Sequence, residues 1–156
     1  METQTLLEKL TALEPTVMPR EKSDCPAITI SPELLLGFMK KLKAEPSLAF
    51  NILCTHTAID WIAENRFELI YQLYSLEHAH SLRVSTSVPR DNPLLSSMSS
   101  IWRIAQWQER EVYDLFGVLY HGHPDLRRLF LEDDWKGFPL RKDYQDDFML
   151  EKPEWA

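Results

Sequence analysis

Residues 67–88 hold two runs in which large apolar and polar side chains alternate with a period of two. Nothing else in the chain constrains the fold as tightly. Phe67, Leu69, Tyr71 and Leu73 fall on one side of the first run, with Glu68 and Gln72 on the other. In the second, Leu82, Val84, Thr86 and Val88 oppose Arg83, Ser85 and Ser87. Successive strand side chains point to opposite faces, so each run predicts a strand with one buried and one solvated face. The short link 77–81 predicts that the two pair as an antiparallel hairpin.

The flanking sequence supplies helices to cover the apolar face. Leu6, Leu7, Leu10 and Leu13 recur at helical spacing over residues 5–13, ended by Pro15. Residues 19–26 read as a loop and 27–30 as a short strand. Ser31-Pro32-Glu33 opens a second helix, since serine can cap and proline in the first turn loses no needed N–H. It runs through Leu34, Leu35, Phe38, Met39 and Leu42, stops before Pro46, and is followed by a strand over 50–57. Pro89 closes the hairpin and Asp91-Asn92-Pro93 marks a turn. Ser99 or Ser100 is placed to cap a third helix reaching Phe116, with Gly117 as its stop. At about 100° per residue, Ile101, Ile104, Ala105, Gln108, Val112, Leu115 and Phe116 share its core face, opposite Arg103, Arg110 and Asp114. Trp102 and Tyr113 share a flank. The expected fold is α+β: a mostly antiparallel sheet with helices packed on it, followed by a long extended C-terminal arm. A core domain over 1–119 and an arm over 120–156 are the expected divisions.

Composition bounds the function. A chain of 156 residues suits one domain, and 44% apolar with 26% charged residues argues against wholesale disorder. A formal net charge of −7 disfavours nucleic acid, whose phosphates want a basic face. No run approaches the roughly 18–20 apolar residues that span a bilayer, and Met1-Glu2-Thr3 lacks the basic start of a secretory signal. A cytoplasmic protein is expected. Cys25 and Cys54 are isolated, too few for an iron–sulfur cluster, and read as small buried hydrophobes. The glycines form no phosphate-binding loop. The chain is expected to bind no cofactor.

After Tyr120 the chain carries Leu126, Leu129, Phe130, Leu131, Trp135, Phe138, Leu140, Tyr144, Phe148, Met149 and Trp155 without lasting helical or strand period. Full burial of each such side chain is worth roughly 1.5–3 kcal/mol, so leaving them all wet would forfeit stability and expose an aggregation-prone patch. Two arrangements meet that demand. The arm wraps this domain's own core, or it is buried on a neighbouring protein with Trp, Tyr and Arg as anchors.

One stretch is more specific. Glu109-Arg110-Glu111-Val112-Tyr113-Asp114-Leu115-Phe116-Gly117, then Gly122-His123-Pro124-Asp125-Leu126-Arg127-Arg128, resembles the signature of the C subunit of bacterial NADH:quinone oxidoreductase, respiratory complex I. Asp134-Trp135 through Gly137, then Pro139-Leu140-Arg141-Lys142-Asp143-Tyr144, extends the resemblance in the order of that family, as do Leu82-Arg83-Val84 and Pro89-Arg90. It covers residues 67–144 strongly and the earlier ones weakly. Glu132, Phe138 and Gln145 depart from the family's usual proline, histidine and proline. The chain ends soon after the motif, as a stand-alone C subunit would and a C–D fusion would not.

The resemblance implies a proton-translocating complex in which this subunit binds no cofactor, while NADH, FMN, iron–sulfur clusters and quinone belong to other subunits. It implies a place in the peripheral arm on the cytoplasmic side of the inner membrane, with membrane association only through partners. The D subunit is the main expected contact, alongside peripheral-arm subunits such as B and I, and the tail is expected to run over the D subunit. The interface candidates are Glu109, Arg110, Glu111, His123, Arg127, Arg128, Trp135, Arg141, Lys142 and Tyr144. Arg127, Arg128, Arg141 and Lys142 are expected to position the tail through ion pairs and hydrogen bonds. A sister reading is the equivalent scaffold subunit of an energy-converting hydrogenase or of a dehydrogenase fed by a donor other than NADH.

Rival chemistries fare poorly. His78/His80 and His121/His123 are spaced to share a strand face, but the first pair lies in a hairpin link and His123 precedes Pro124 in a turn, so no metal site is expected. Glu109 and Glu111 diverge by about 160° around a helix, which argues against an acid/base pair, and no catalytic residue is expected. Arg110 and Asp114, at i and i+4, are expected to pair on the exposed side.

Overall fold

The computed structural model describes residues 3–21 and 23–146. The two alternating runs form β4 (Arg66–Ser75) and β5 (His80–Pro89), paired antiparallel with Phe67 opposite Val88, Tyr71 opposite Val84 and Leu73 opposite Leu82. Phe67, Leu69, Tyr71 and Leu73 are fully buried, as the period-two pattern requires. β3 (Ile52–Trp61) adds antiparallel to β4. On the other side β2 (Ala27–Thr29) adds parallel to β5, and β1 (Met18–Pro19) adds antiparallel to β2, giving the order β1-β2-β5-β4-β3.

Helices cover one face of this sheet. α1 (Thr3–Leu13) buries Leu6 and Leu10, and α2 (Pro32–Ala44) buries Leu35, Phe38, Met39 and Leu42. Pro32 takes the first turn as expected, whereas Ser31 occupies the capping position without a side-chain hydrogen bond. α2 lies against β5 and β6 (Leu94–Ser96), and α3 (Ala105–Phe116) lies against β3 and β7 (Leu119–His121). β6 and β7 pair in parallel as a separate two-stranded ribbon. The class is α+β, as expected. No described helix is long and apolar enough to cross a membrane.

Several details differ from expectation. β3 continues to Trp61 because a bulge between Leu53 and Thr55 shifts the alternation, which then sends His56, Ala58 and Asp60 inward. Cys54 sits at that irregularity and is exposed, and Cys25 is half-buried, so neither is the buried hydrophobe expected. The far face of the sheet is only partly solvated: Arg20 reaches across it to Glu68, which also accepts the Trp61 indole N–H, leaving Glu68 buried. α3 starts at Ala105, and neither Ser99 nor Ser100 caps it. Turns occupy residues 99–101 and 103–104 instead, with Ile101 and Trp102 donating to the Met98 carbonyl. Gly117 ends α3 in the left-handed region (φ 76°), donating to the Tyr113 carbonyl.

Candidate functional site

The middle of the side of α3 that sequence periodicity assigns to solvent is covered. Arg110 is buried and Asp114 completely so, while Arg103, just before the helix, is exposed. What covers it is the segment after β7, which returns along the helix without regular secondary structure.

Asp114 organises this return. One carboxylate oxygen accepts the peptide N–H groups of Leu129 (3.0 Å), Phe130 (2.7 Å) and Leu131 (3.0 Å), and the other accepts Arg128 Nη1 at 2.8 Å. Burial alone would raise the Asp114 pKa. The Arg128 guanidinium and the three peptide donors outweigh it and hold the carboxyl below its ordinary value. Arg128 also donates through Nη2 to the Trp135 and Gly137 carbonyls, so one guanidinium ties α3 to two later points of the arm. Arg110 donates to the carbonyls of Arg127 (3.1 Å) and Arg128 (2.8 Å), with its guanidinium over the Trp107 ring at 5.1 Å. The expected surface pair of Arg110 with Asp114 does not form. Each reaches its partner in the arm, which supplies stronger, desolvated acceptors and donors than one helix turn can.

A second anchor follows. Arg141 donates to the Phe116 carbonyl at 2.7 Å, and its guanidinium lies between the rings of Phe67 (5.1 Å) and Phe138 (4.8 Å). Leu140 N–H donates to the Leu115 carbonyl. A Cβ on Gly117 would stand 2.5 Å from the Phe138 ring and 2.8 Å from Arg141 Nη2, so this helix stop is also where the arm closes down. Beyond it, the fully buried Asp60 carboxylate accepts Arg90 (2.8 and 3.1 Å) and the Lys142 peptide N–H (2.8 Å), while Arg90 also donates to Asp143. Tyr144 donates to Asp146 and packs its ring beside Gly137.

The other candidates divide between inside and outside. Glu109 points inward, accepting Ser97 Oγ and the Met98 N–H, both at 2.6 Å; this holds the turn that precedes α3 where a serine cap was expected. Burial pushes its pKa up to about 7. His123 donates from Nε2 to the Gln106 carbonyl and accepts the Asp125 N–H at Nδ1, the tautomer that geometry requires. Glu111, Arg127, Trp135 and the Lys142 side chain face outward, and Arg127 pairs with Asp125. Arg128 and Arg141 are occupied within the chain, so their bonds hold the arm to its own domain. Phe148, Met149 and Trp155 lie outside the described residues.

His78 and His80 bond the carbonyls of Pro46 and Leu48, and Gly122 (φ 81°) breaks the extended chain between His121 and His123. Among the described residues no group of three His, Cys, Asp or Glu is placed to hold a metal ion. Sequence reading missed Asp60 and the anchoring role of Asp114. The available signal for Asp60 was a lone acid in phase with inward-facing His56 and Ala58.

The outer surface that results is apolar at its high points. Phe130 is 66% exposed and Trp107 56%, with Leu140 and Trp135 also open. Fold and site thus define an α+β domain carrying an irregular arm clamped to it by buried carboxylates, with aromatic side chains on the outer face. The chain belongs to the family described as respiratory-chain NADH dehydrogenase, 30 Kd subunit, whose profile matches residues 28–147. It is 44% identical over 119 residues to the NADH-quinone oxidoreductase C subunit of Geobacter metallireducens, covering 75% of this chain and 72% of that one. A solved trypsin-resistant fragment of Nqo5 matches 81% of this chain and all of that one, with a TM-score of 0.66 at 27% identity. A chain in the structure of a membrane-bound sulfane sulfur reductase, an archaeal respiratory membrane complex, matches with a TM-score of 0.80, covering 98% of each; at 22% identity it shows the fold alone.

Proposed function

We propose that this chain is the C subunit of a proton-translocating NADH:quinone oxidoreductase, a scaffold with no catalytic residue or cofactor of its own. Its core, residues 1–119, carries the arm, residues 120–156, whose described part to Asp146 offers a preformed surface for the D subunit, with B and I as further neighbours. NADH, FMN, iron–sulfur clusters and quinone are handled by other subunits. The chain is held at the cytoplasmic side of the inner membrane through these partners.

The observation that carries the reading is the clamped arm. Asp114, Arg128 and Arg141 fix its backbone, and the fixed backbone holds Phe130 out in solvent. A rigid exposed aromatic is the composition of an interface anchor, because little side-chain entropy is lost on burial. The fold shared with the sulfane sulfur reductase chain means that architecture does not discriminate electron donors. The NADH-quinone name of the 44%-identical relative favours NADH. Phe130→Asp should reduce co-purification with the D subunit about tenfold without moving the thermal midpoint of the isolated chain, because the ring is mostly in solvent. Undiminished co-purification would sink the proposal.

A further inference from the structure

A second surface lies away from the arm. Between the C-terminal half of α2 and the turn before α3 run two adjoining grooves of about 400 and 420 Å³ that share Lys43 and Ile101. Lys40, Lys43 and Arg103 line this trough, and Ile52, Trp102 and Ile104 give it apolar walls. Ile104 is 47% exposed there. Trp102 is buried, and its indole N–H finds no acceptor among the described residues.

The charge here runs against the rest of the chain. Acidic residues exceed basic ones, 24 to 17, and Arg20, Arg66, Arg83, Arg90, Arg127 and Arg128 each face a carboxylate. Lys40, Lys43 and Arg103 make no ion pair among the described residues; Lys43 donates to the Ile101 carbonyl and lies over the Trp102 ring instead. Lysines in the last turn of a helix favour its negative end, which accounts for Lys43 on α2. It does not account for Arg103, which comes from a different element and meets them across an apolar trough.

We infer that this trough docks an acidic peptide segment of a neighbouring subunit, its carboxylates set against Lys40, Lys43 and Arg103 and its apolar side chains on Ile52, Trp102 and Ile104. Charge complementarity selects the occupant: an anionic segment neutralises all three cations, a basic one is repelled, and an uncharged one leaves them unpaired. An anionic membrane is the poorer match, because the remainder of a chain of net charge −7 is repelled from it. The inference rests on the reading that the chain works inside a larger assembly.

The test is photo-crosslinking in the intact complex, with p-benzoylphenylalanine incorporated at position 104 and, in a separate preparation, at position 130. The expected result is a crosslink from position 104 to a peptide rich in Asp or Glu. Its yield should fall roughly tenfold in the Lys40→Glu, Arg103→Glu double variant, while the position 130 crosslink is unchanged. Both changes lie on the exposed surface, and circular dichroism of the purified double variant checks that it folds. A crosslink at 130 but none at 104 overturns this inference and leaves the assembly reading standing; none at either overturns that reading as well. A crosslink from 104 to lipid, or to a neutral or basic segment, also overturns it.

Discussion

Asp114 has four charge-assisted or peptide donors on one buried carboxylate, and removing its charge strands the Arg128 guanidinium. Asp114→Asn keeps one acceptor but turns an amide N–H₂ toward donors. A broken buried pair costs about 3–5 kcal/mol, so the stability read from urea unfolding should fall by that much, and an unchanged midpoint would contradict the assignment. Glu109 and His56 make a different pair of predictions. Burial raises Glu109 from 4.5 to about 7 and lowers His56 from 6.5 to about 4. Between about pH 4.5 and 6.5, unfolding releases the Glu109 proton and takes one up on His56, so the two nearly cancel in the pH dependence of stability. Glu109→Gln removes one side of that balance. The variant should then lose on the order of 3 kcal/mol between pH 6.5 and 4 relative to wild type, since protons bind the unfolded His56 first. Parallel stability–pH curves for the two proteins would refute it.

The elements differ in how openly the sequence declares them. The β4–β5 hairpin was legible to within a residue or two at its ends, because Phe67 to Leu73 and Leu82 to Val88 keep a strict period of two; the burial of Glu68 and Ser85 on the far face was not. Pro32 and Gly117 marked a helix start and stop for equally local reasons. β1 was hidden: it is two residues long, one of them proline on an edge strand. The burial of α3 was hidden for a deeper reason. Periodicity assigns Arg110 and Asp114 to water because it sees one helix at a time. The groups that satisfy them come from 14 to 18 positions along the chain, at Arg127 through Leu131. Gly117 ends α3 where the arm packs against it, and a side chain there meets both a positive φ and the Phe138 ring. Gly117→Ala should destabilise the chain by more than about 1 kcal/mol and speed proteolysis within 128–141, read by limited trypsin digestion. Digestion at the wild-type rate would contradict the closure described for this turn.

For the whole molecule, the sequence posed a choice between an arm wrapped on its own core and an arm buried on a neighbour. The described part does the first with its backbone and its buried arginines, and this leaves outer side chains such as Phe130 exposed, as the proposed docking on a neighbour requires. The boundary expected between residues 119 and 120 falls inside β7, whose Tyr120 is buried and bonded to His56, so the arm springs from the core without a linker. The family motif falls where α3 meets the arm, which gives its charged residues a physical role as clamps. With Asp114 and Arg128 bonded within the chain, the arm is held in place before any partner binds. Hydrogen exchange on the isolated chain tests this at the amides of Leu129, Phe130 and Leu131, all bonded to Asp114. They should exchange at least about a hundredfold more slowly than in an unstructured peptide. Exchange at unstructured rates, with β4 and β5 still protected, would mean that the arm takes shape only on its neighbour, and would contradict the account.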